Sequence, residues 1–332
     1  MTGRTNPFDA LVALLRGRVP DAVPWPRVIA LANHTLLTPR VHAALTASGA
    51  ADGLPPDVRD YLAFLHARNA ERNGRLRAQL HEAVAALNAA GLTPVLLKGA
   101  RALFTPDGGA LPDRMTSDLD VAIDPDRMDD ADRVLAGLGY ARSSGFRGHW
   151  RPGDVGLLEL RPLRPTAADD LVPVRAGNGT ARVQTDAALA AHWIAHDMLK
   201  EGDLVRGRLD LRHLVDLVDL GAGGIDWHGM RDRWRPGLER TAFHTQLLTG
   251  HTLFGMEIPE DAKRDRAARR QLRRRIFAAR HRYLGIPSRI AGNAAWGLRR
   301  TGRILPLLRR DPRIALSRGL RTVFALRPRA KL

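Results

Sequence analysis

Cysteine is absent from the 332 residues, which excludes disulfides and thiolate zinc sites and fits a reducing compartment. No uninterrupted apolar run reaches the roughly 18 residues that a membrane-spanning helix requires. The N-terminus also lacks the basic start and apolar run of a secretory leader. A cytoplasmic protein is expected, at most peripheral at the inner membrane face. Aromatic residues make up only 5% of the chain. Acidic residues are scarce in one region alone: from Asp261 onward 22 Lys and Arg face three acids, whereas the first 260 residues carry 30 basic and 32 acidic groups. The net charge of +17 therefore belongs to the C-terminal quarter, and it does not mark the whole chain as a nucleic-acid binder. An apolar content of 44% allows a sizeable core, and the length suits two domains or one domain with helical additions.

What is present centres on the stretch from Thr93 to Asp124. Pro94–Leu97 reads as a strand ending in Lys98-Gly99, and Ser117–Ile123 as a second strand stopped by Asp124-Pro125. Side chains alternate along a strand, so Asp118 and Asp120 share one face while Leu119, Val121 and Ile123 take the other. Two neighbouring carboxylates are costly to ionise together unless a positive group lies between them. A divalent metal is one answer, and Mg²⁺ takes one or two carboxylates plus substrate phosphates. The alternative is the solvated edge of a half-buried strand. Val155–Arg161, bounded by Gly153 and Pro162, also reads as a strand, and its one acid, Glu159, shares a face with Leu157 and Arg161. An acid in such a run is either paired with an arginine or part of a site. Beside Asp118 and Asp120 it completes a three-carboxylate cage for two metals, the arrangement that clamps an in-line displacement at phosphorus.

Lys98-Gly99 lies at a strand-to-turn junction, with Ala100–Leu103 able to begin a helix. Backbone N–H groups at such a start are open to phosphate, Gly99 lets the backbone approach closely, and Lys98 adds charge. A glycine needed only for the turn is the competing reading.

Leu97-Lys98-Gly99, then Arg114 followed by Asp118-Leu119-Asp120, then Leu158-Glu159-Leu160, resemble the bacterial "nucleotidyltransferase family protein" group of the polymerase-beta-like nucleotidyltransferase superfamily. The likeness extends to the Asn33–Leu45 helix, the helix before Gly91, and Leu211–Asp216 followed by Ile225-Asp226-Trp227, covering about residues 25 to 255. The chain departs from the group's pattern with Ala100 where a second Gly or a Ser is usual, with a longer Gly99–Asp118 gap, and with Arg161 where His is frequent. The resemblance implies that Asp118, Asp120 and Glu159 are catalytic and hold Mg²⁺, with two ions expected and Mn²⁺ an alternative. It implies that Lys98, Gly99, Ala100, Arg114 and Ser117 serve the phosphates of an NTP, ATP first, with a surface arginine the competing reading of Arg114. Pyrophosphate is then released as the NMP passes to an unidentified hydroxyl-bearing acceptor. A catalytically inactive nucleotide-binding or scaffold protein acting through its basic tail is one alternative. A toxin-like enzyme acting on tRNA or protein is another.

The remaining chain reads as helices over 7–18, 25–49, 56–91 and 126–138, then a hairpin of Phe146–Trp150 with Val155–Arg161, in which His149 and Arg151 either face the site or, by default, lie on an exposed strand face. A helix capped by Thr185-Asp186 carries His192 and His196 four apart. No Glu stands where a zincin needs one, so zinc is not expected, and His196 either lines the nucleotide cleft or is a buried, hydrogen-bonded ring. Arg212 and Asp216, on a helix over 208–220, read as an i,i+4 pair; the resemblance adds that this region packs over the cleft. Further helices are expected at 242–254 and 264–282. Ala294–Leu308 and Ile314–Leu326 mix arginine with apolar residues, which fits an anionic membrane surface or an acidic partner first and RNA second. The fold expected is α/β (α+β), with a small mixed sheet flanked by N-terminal and C-terminal helical regions. Its segments are 1–92 helical, 93–165 the catalytic core, 166–260 helical over the cleft, and 261–332 the basic amphipathic tail.

Overall fold

A computed structural model describes residues 5–105, 109–143, 148–164, 167–281, 284, 286–299 and 331–332. In chain order these form α1 (Pro7–Leu15), α2 (Trp25–His34), α3 (Thr38–Ala47) and the long α4 (Pro56–Ala89). Then come β1 (Val95–Leu96), α5 (Lys98–Leu103), β2 (Asp118–Ile123), α6 (Met128–Gly137), β3 (Ala141–Arg142), β4 (Gly148–Trp150) and β5 (Leu157–Pro162). A hairpin of β6 (Leu171–Ala176) and β7 (Gly179–Gln184) leads into α7 (Asp186–Ile194). After a π-helical turn, Ala195–Lys200, follow α8 (Asp203–Arg206), α9 (Leu211–Ala222), α10 (Trp227–Met230), α11 (Leu238–Phe254), α12 (Glu260–Arg264), α13 (Arg266–Arg280) and α14 (Ile286–Arg299). No helix among the described residues is long and apolar enough to cross a membrane.

The chain divides into two compact units, Leu37–Leu189 and Met1–Leu36 with Ala190–Leu332. The first holds one mixed seven-stranded sheet in the order β3-β4-β5-β2-β1-β7-β6. β2 runs parallel to β5 and β1 parallel to β7, while the other pairs are antiparallel. The α/β class and the helices flanking a mixed sheet agree with the expectation. Leu119, Val121 and Ile123 of β2 pack with Leu158 and Leu160 of β5 against Leu76, Leu80, Val84 and Leu87 of α4 and Leu135 of α6. Each such side chain, fully buried, contributes about 1.5–3 kcal/mol. The opposite face of β2 is left to Asp118 and Asp120.

Helix α4 ends in a Schellman turn: Gly91 at φ +72° donates its N–H to Asn88 O (2.9 Å), and Leu92 N–H reaches Leu87 O (2.9 Å). Amide and guanidinium groups on α4 hold the loops of the sheet. Asn73 Nδ2 donates to Pro112 O (2.8 Å) and Arg114 O (2.9 Å), Asn69 to Asp113 O (3.3 Å), and Arg72 to Thr116 O and Ser117 O (both 3.2 Å). Gln79 Nε2 donates to Gly156 O (2.9 Å) at the entry to β5. Gly156 lies flat against Leu76, where any Cβ would collide with that side chain.

Several expectations are corrected. The helix expected over 25–49 is two helices, broken at Leu36, whose φ is +59°, just before Thr38-Pro39 starts α3. The sheet continues past residue 165, because β7 pairs in parallel with β1 and brings β6 to the edge. Gly177-Asn178 joins these two strands, and Pro173 is tolerated in β6 as an edge strand. His149 is buried at 2% exposure, its Nε2 3.0 Å from Asp132 of α6, so it faces away from solvent. Arg151 likewise is engaged, with Glu82 of α4 and with Asp154. The start of the strand expected at Phe146 lies outside the described residues, as does Ile314–Leu326.

In the second unit, Asp210 caps α9 and Asp226 caps α10 through their carboxylates. Helix α13, expected as a basic amphipathic helix of the tail, turns Arg275 inward at 1% exposure, where it donates to Arg208 O, Gln246 and Thr249. The chain returns at Lys331–Leu332, where Leu332 and Leu209 exchange backbone hydrogen bonds of 2.8 and 2.9 Å.

Asn73→Ala leaves two part-buried carbonyls without their donor and is expected to cost about 1–2 kcal/mol in urea unfolding. Phe64→Ala, at a side chain 61% exposed, is expected to change stability by less than about 0.5 kcal/mol.

Candidate active site

The register of β2 and β5 sets the site. Asp120 is paired with Glu159 across the parallel ladder, and Leu119 with Leu158, so the two acids stand side by side on the face opposite the core. Asp118 lies two residues earlier on that face. One oxygen from each of Asp118, Asp120 and Glu159 falls within 4.8 Å of the others. The convergence expected from the alternation of two strands is therefore present.

Cations share this cluster. Asp120 is only 2% exposed, and both its oxygens are engaged: Arg161 Nε donates to Oδ1 at 2.6 Å, and Lys98 Nζ lies 2.8 Å from Oδ2. Arg161 Nη2 also donates to Glu159. Burial disfavours the charged guanidinium, but Asp120 and Glu159 outweigh it and raise the Arg161 pKa. Arginine pairing, one of the two outcomes anticipated for a lone acid in an apolar strand, is thus realised at Glu159. Ser117 Oγ donates to Asp118 Oδ1 at 2.9 Å.

The turn after β1 closes on the same cluster. Leu97 N–H donates to Asp120 O at 3.0 Å, and Lys98 adopts φ +50°, a left-handed conformation unusual for a side-chain-bearing residue. A Cβ on Gly99 would lie 2.9 Å from Thr116 Cγ2 and 3.1 Å from Arg114 Nη1, so close approach requires glycine here and the Arg114 guanidinium borders the turn. The Ala100 N–H is already used, donating to Leu97 O at 3.1 Å, and the side chain is buried. Ala100 therefore shapes the turn, its own N–H being engaged within it.

Lys98, Gly99, Arg114, Ser117, Asp118, Asp120 and Glu159 are thus neighbours in one unit. His196, Arg212 and Asp216 belong to the other unit. There His196 Nδ1 bonds Asp197 at 3.1 Å and its ring stacks on His192 at 6.2 Å, so the HxxxH pair joins no metal-ligand group among the described residues. The residues that the motif reading passed over are Asn69, Arg72, Asn73 and Gln79 of α4. Part of their signal was available: Asn69 and Asn73 stand one helical turn apart within an otherwise apolar stripe.

A family model described as "uncharacterised nucleotidyltransferase" matches residues 21–255. No curated protein matches the chain. Among solved structures, an antigenic nucleotidyltransferase-like protein from Paracoccidioides brasiliensis is similar at 16% identity and a TM-score of 0.32, over 60% of this chain and 92% of that chain.

A second group with metal-ligand composition, Asp197, Asp210 and His213, lies in the other unit. Here too cations share the group. Lys331 Nζ stands 2.6 Å from Asp203 and 3.5 Å from Asp197, and His213 Nδ1 bonds Asp197 at 2.9 Å. This is a balanced ionic network. Burial alone would raise the Asp197 pKa, but hydrogen bonds from His196 and His213 reverse the sign and hold it well below the usual carboxylate range. For His213, burial is likewise outweighed by Asp210 and Asp197, and its pKa rises. A depressed carboxylate contributes stability that is complete above the unfolded value of 3.8 and lost as pH falls through the folded one. The raised histidine contributes below its ordinary 6.5 and loses that contribution as pH climbs through its folded value. Asp197→Ala is expected to cost about 3–5 kcal/mol at neutral pH and to flatten the acid limb of the stability profile below about pH 4, as followed by urea unfolding across pH.

Proposed function

We propose, from the premise that this chain belongs to the family of uncharacterised nucleotidyltransferases, that it transfers an NMP from an NTP, ATP first, to a hydroxyl-bearing acceptor with release of pyrophosphate. The observation that carries this reading is the meeting of Asp118, Asp120 and Glu159 beside the Lys98-Gly99 turn. Their donor set fits a divalent ion, since three carboxylates from two adjacent strands offer hard oxygen ligands on one face. Asp118, Asp120 and Glu159 would hold Mg²⁺, as one ion or two, with Mn²⁺ as a substitute. A divalent ion bound there neutralises charge on the phosphate oxygens.

The chain's own groups supply the rest. Lys98, Arg114 and the backbone at Gly99 orient the triphosphate, and Ser117 fixes Asp118 through its hydroxyl. Glu159 takes the proton of the acceptor hydroxyl as its oxygen bonds to the α-phosphorus, the bond to the bridging oxygen breaks, and pyrophosphate leaves. Catalysis on this plan is mainly positioning and charge neutralisation. The motifs fit the bacterial group named above, and a cytoplasmic or peripheral inner-membrane location suits the composition.

One observation favours the inactive alternative: Asp120 is already neutralised by Lys98 and Arg161. Calorimetry with each NTP and Mg²⁺ separates the two, since binding without turnover on any acceptor supports a scaffold. With α-labelled NTP, Mg²⁺ and a host lysate as acceptor pool, the wild type is expected to release pyrophosphate and label one class of product. Asp118→Ala is expected to lose at least 10²-fold while its circular dichroism is unchanged; wild-type turnover in that variant would overturn the assignment.

A further inference from the structure

Arg161 has no role in the chemistry above, yet it occupies the centre of the acid group. Its Nε is 2.6 Å from Asp120 Oδ1 and its Nη2 is on Glu159, so one guanidinium spans two of the three carboxylates that would hold a metal. Lys98 pairs with Asp120 at its other oxygen, 2.8 Å away. A divalent ion ligated by Asp120 and Glu159 needs oxygens that Arg161 now uses, and a resident positive charge at that range opposes its entry.

The mobility of the three partners differs. Asp120 is buried in the middle of β2, bracketed by β1 and β5, and has nowhere to go. The Arg161 side chain is 47% exposed and sits next to Pro162, the last residue of β5. Its guanidinium can therefore leave the acids without moving the sheet. A planar fork of donors freed beside a carboxylate cage also matches phosphate oxygens bidentately.

We propose that Arg161 is the resident counter-cation of this cage: it must vacate Asp120 and Glu159 for a divalent ion to enter, and it is then taken up by the phosphates of the incoming nucleotide. The proposal rests on the acid-cage reading given under Proposed function. Metal alone then binds weakly, nucleotide alone binds weakly, and the two bind cooperatively, because each removes a cost the other faces. Such coupling is reciprocal, so nucleotide tightens metal by the same factor that metal tightens nucleotide. The arrangement keeps the acids paired until a substrate arrives.

The test is Mn²⁺ titration of the full chain, followed by the electron paramagnetic resonance of free Mn²⁺, with and without an ATP analogue bearing a non-hydrolysable α,β-bridge. Arg161→Gln, which leaves Asp120 paired with Lys98, is expected to bind Mn²⁺ about tenfold tighter than wild type without nucleotide. It is also expected to lose most of the further gain that the analogue gives the wild type. Arg161→Lys, which keeps the charge but not the fork, is expected to fall between the two. Arg161 variants that match the wild type in both Mn²⁺ affinity and nucleotide coupling overturn the proposal. Asp118→Asn separates the two levels. If it abolishes Mn²⁺ binding while the Arg161 variants behave as wild type, only the role of Arg161 fails. If it leaves Mn²⁺ binding intact, the cage reading fails and the proposal with it.

Discussion

A carboxylate held out of water between two cations governs this structure. Asp120 lies in the middle of β2 at 2% exposure, and an unpaired charge there would cost several kcal/mol. Its neighbours on both sides are therefore committed to supplying positive charge. β1 delivers Lys98 at its end, and β5 delivers Arg161 two residues beyond Glu159. The turn that carries Lys98 is bent into a left-handed conformation and tied by Leu97 N–H to the Asp120 carbonyl. The ion pairs on either side answer one buried acid, and the strained turn brings one of them to it. On the function proposed above, that acid serves the chemistry by exchanging its present partners for others.

The long helix α4 is the beam on which this arrangement is mounted. Its apolar stripe, Leu76, Leu80, Val84 and Leu87, forms the floor of the core beneath β2 and β5. Its polar residues one or two turns earlier reach the backbone of residues 112–117 and so fix the direction in which the chain enters β2. Gln79 does the same for the entry to β5. One rigid element thus sets both strands that carry acids, which is how the side chains keep their spacing without contacts among themselves.

The acidic face was legible in the sequence because strand periodicity is strict. Asp118-Leu119-Asp120-Val121 admits one partition between core and surface, and Leu158-Glu159-Leu160 admits the same. The glycine turn was legible too, since Gly99 has a neighbour where a Cβ would stand. Three things were not. β6 carries a proline and an arginine and β7 turns only Gly179, Ala181 and Val183 inward, so their apolar signal is weak, and tertiary pairing with β1 gives them a place. The break at Leu36 depends on a backbone conformation that a leucine does not advertise. The burial of His149 follows from α6 lying across β4, with Asp132 waiting for it, which no local pattern around His149 encodes. Arg161 stood between these cases: its face was readable, but not its reach across to the neighbouring strand.

The second buried ionic group shows why composition alone does not define a site. Asp197, Asp210 and His213 have the same ligand types as a metal centre, but Lys331 and Arg275 come from distant parts of the chain to balance them. The two groups make opposite statements about where a divalent ion belongs, and one measurement decides between them. Anomalous scattering from crystals grown with Mn²⁺ and a non-hydrolysable ATP analogue is predicted to show density within about 2.0–2.3 Å of Asp118, Asp120 and Glu159 oxygens. Density on Asp197, Asp210 and His213, with none beside Asp120, would contradict the account.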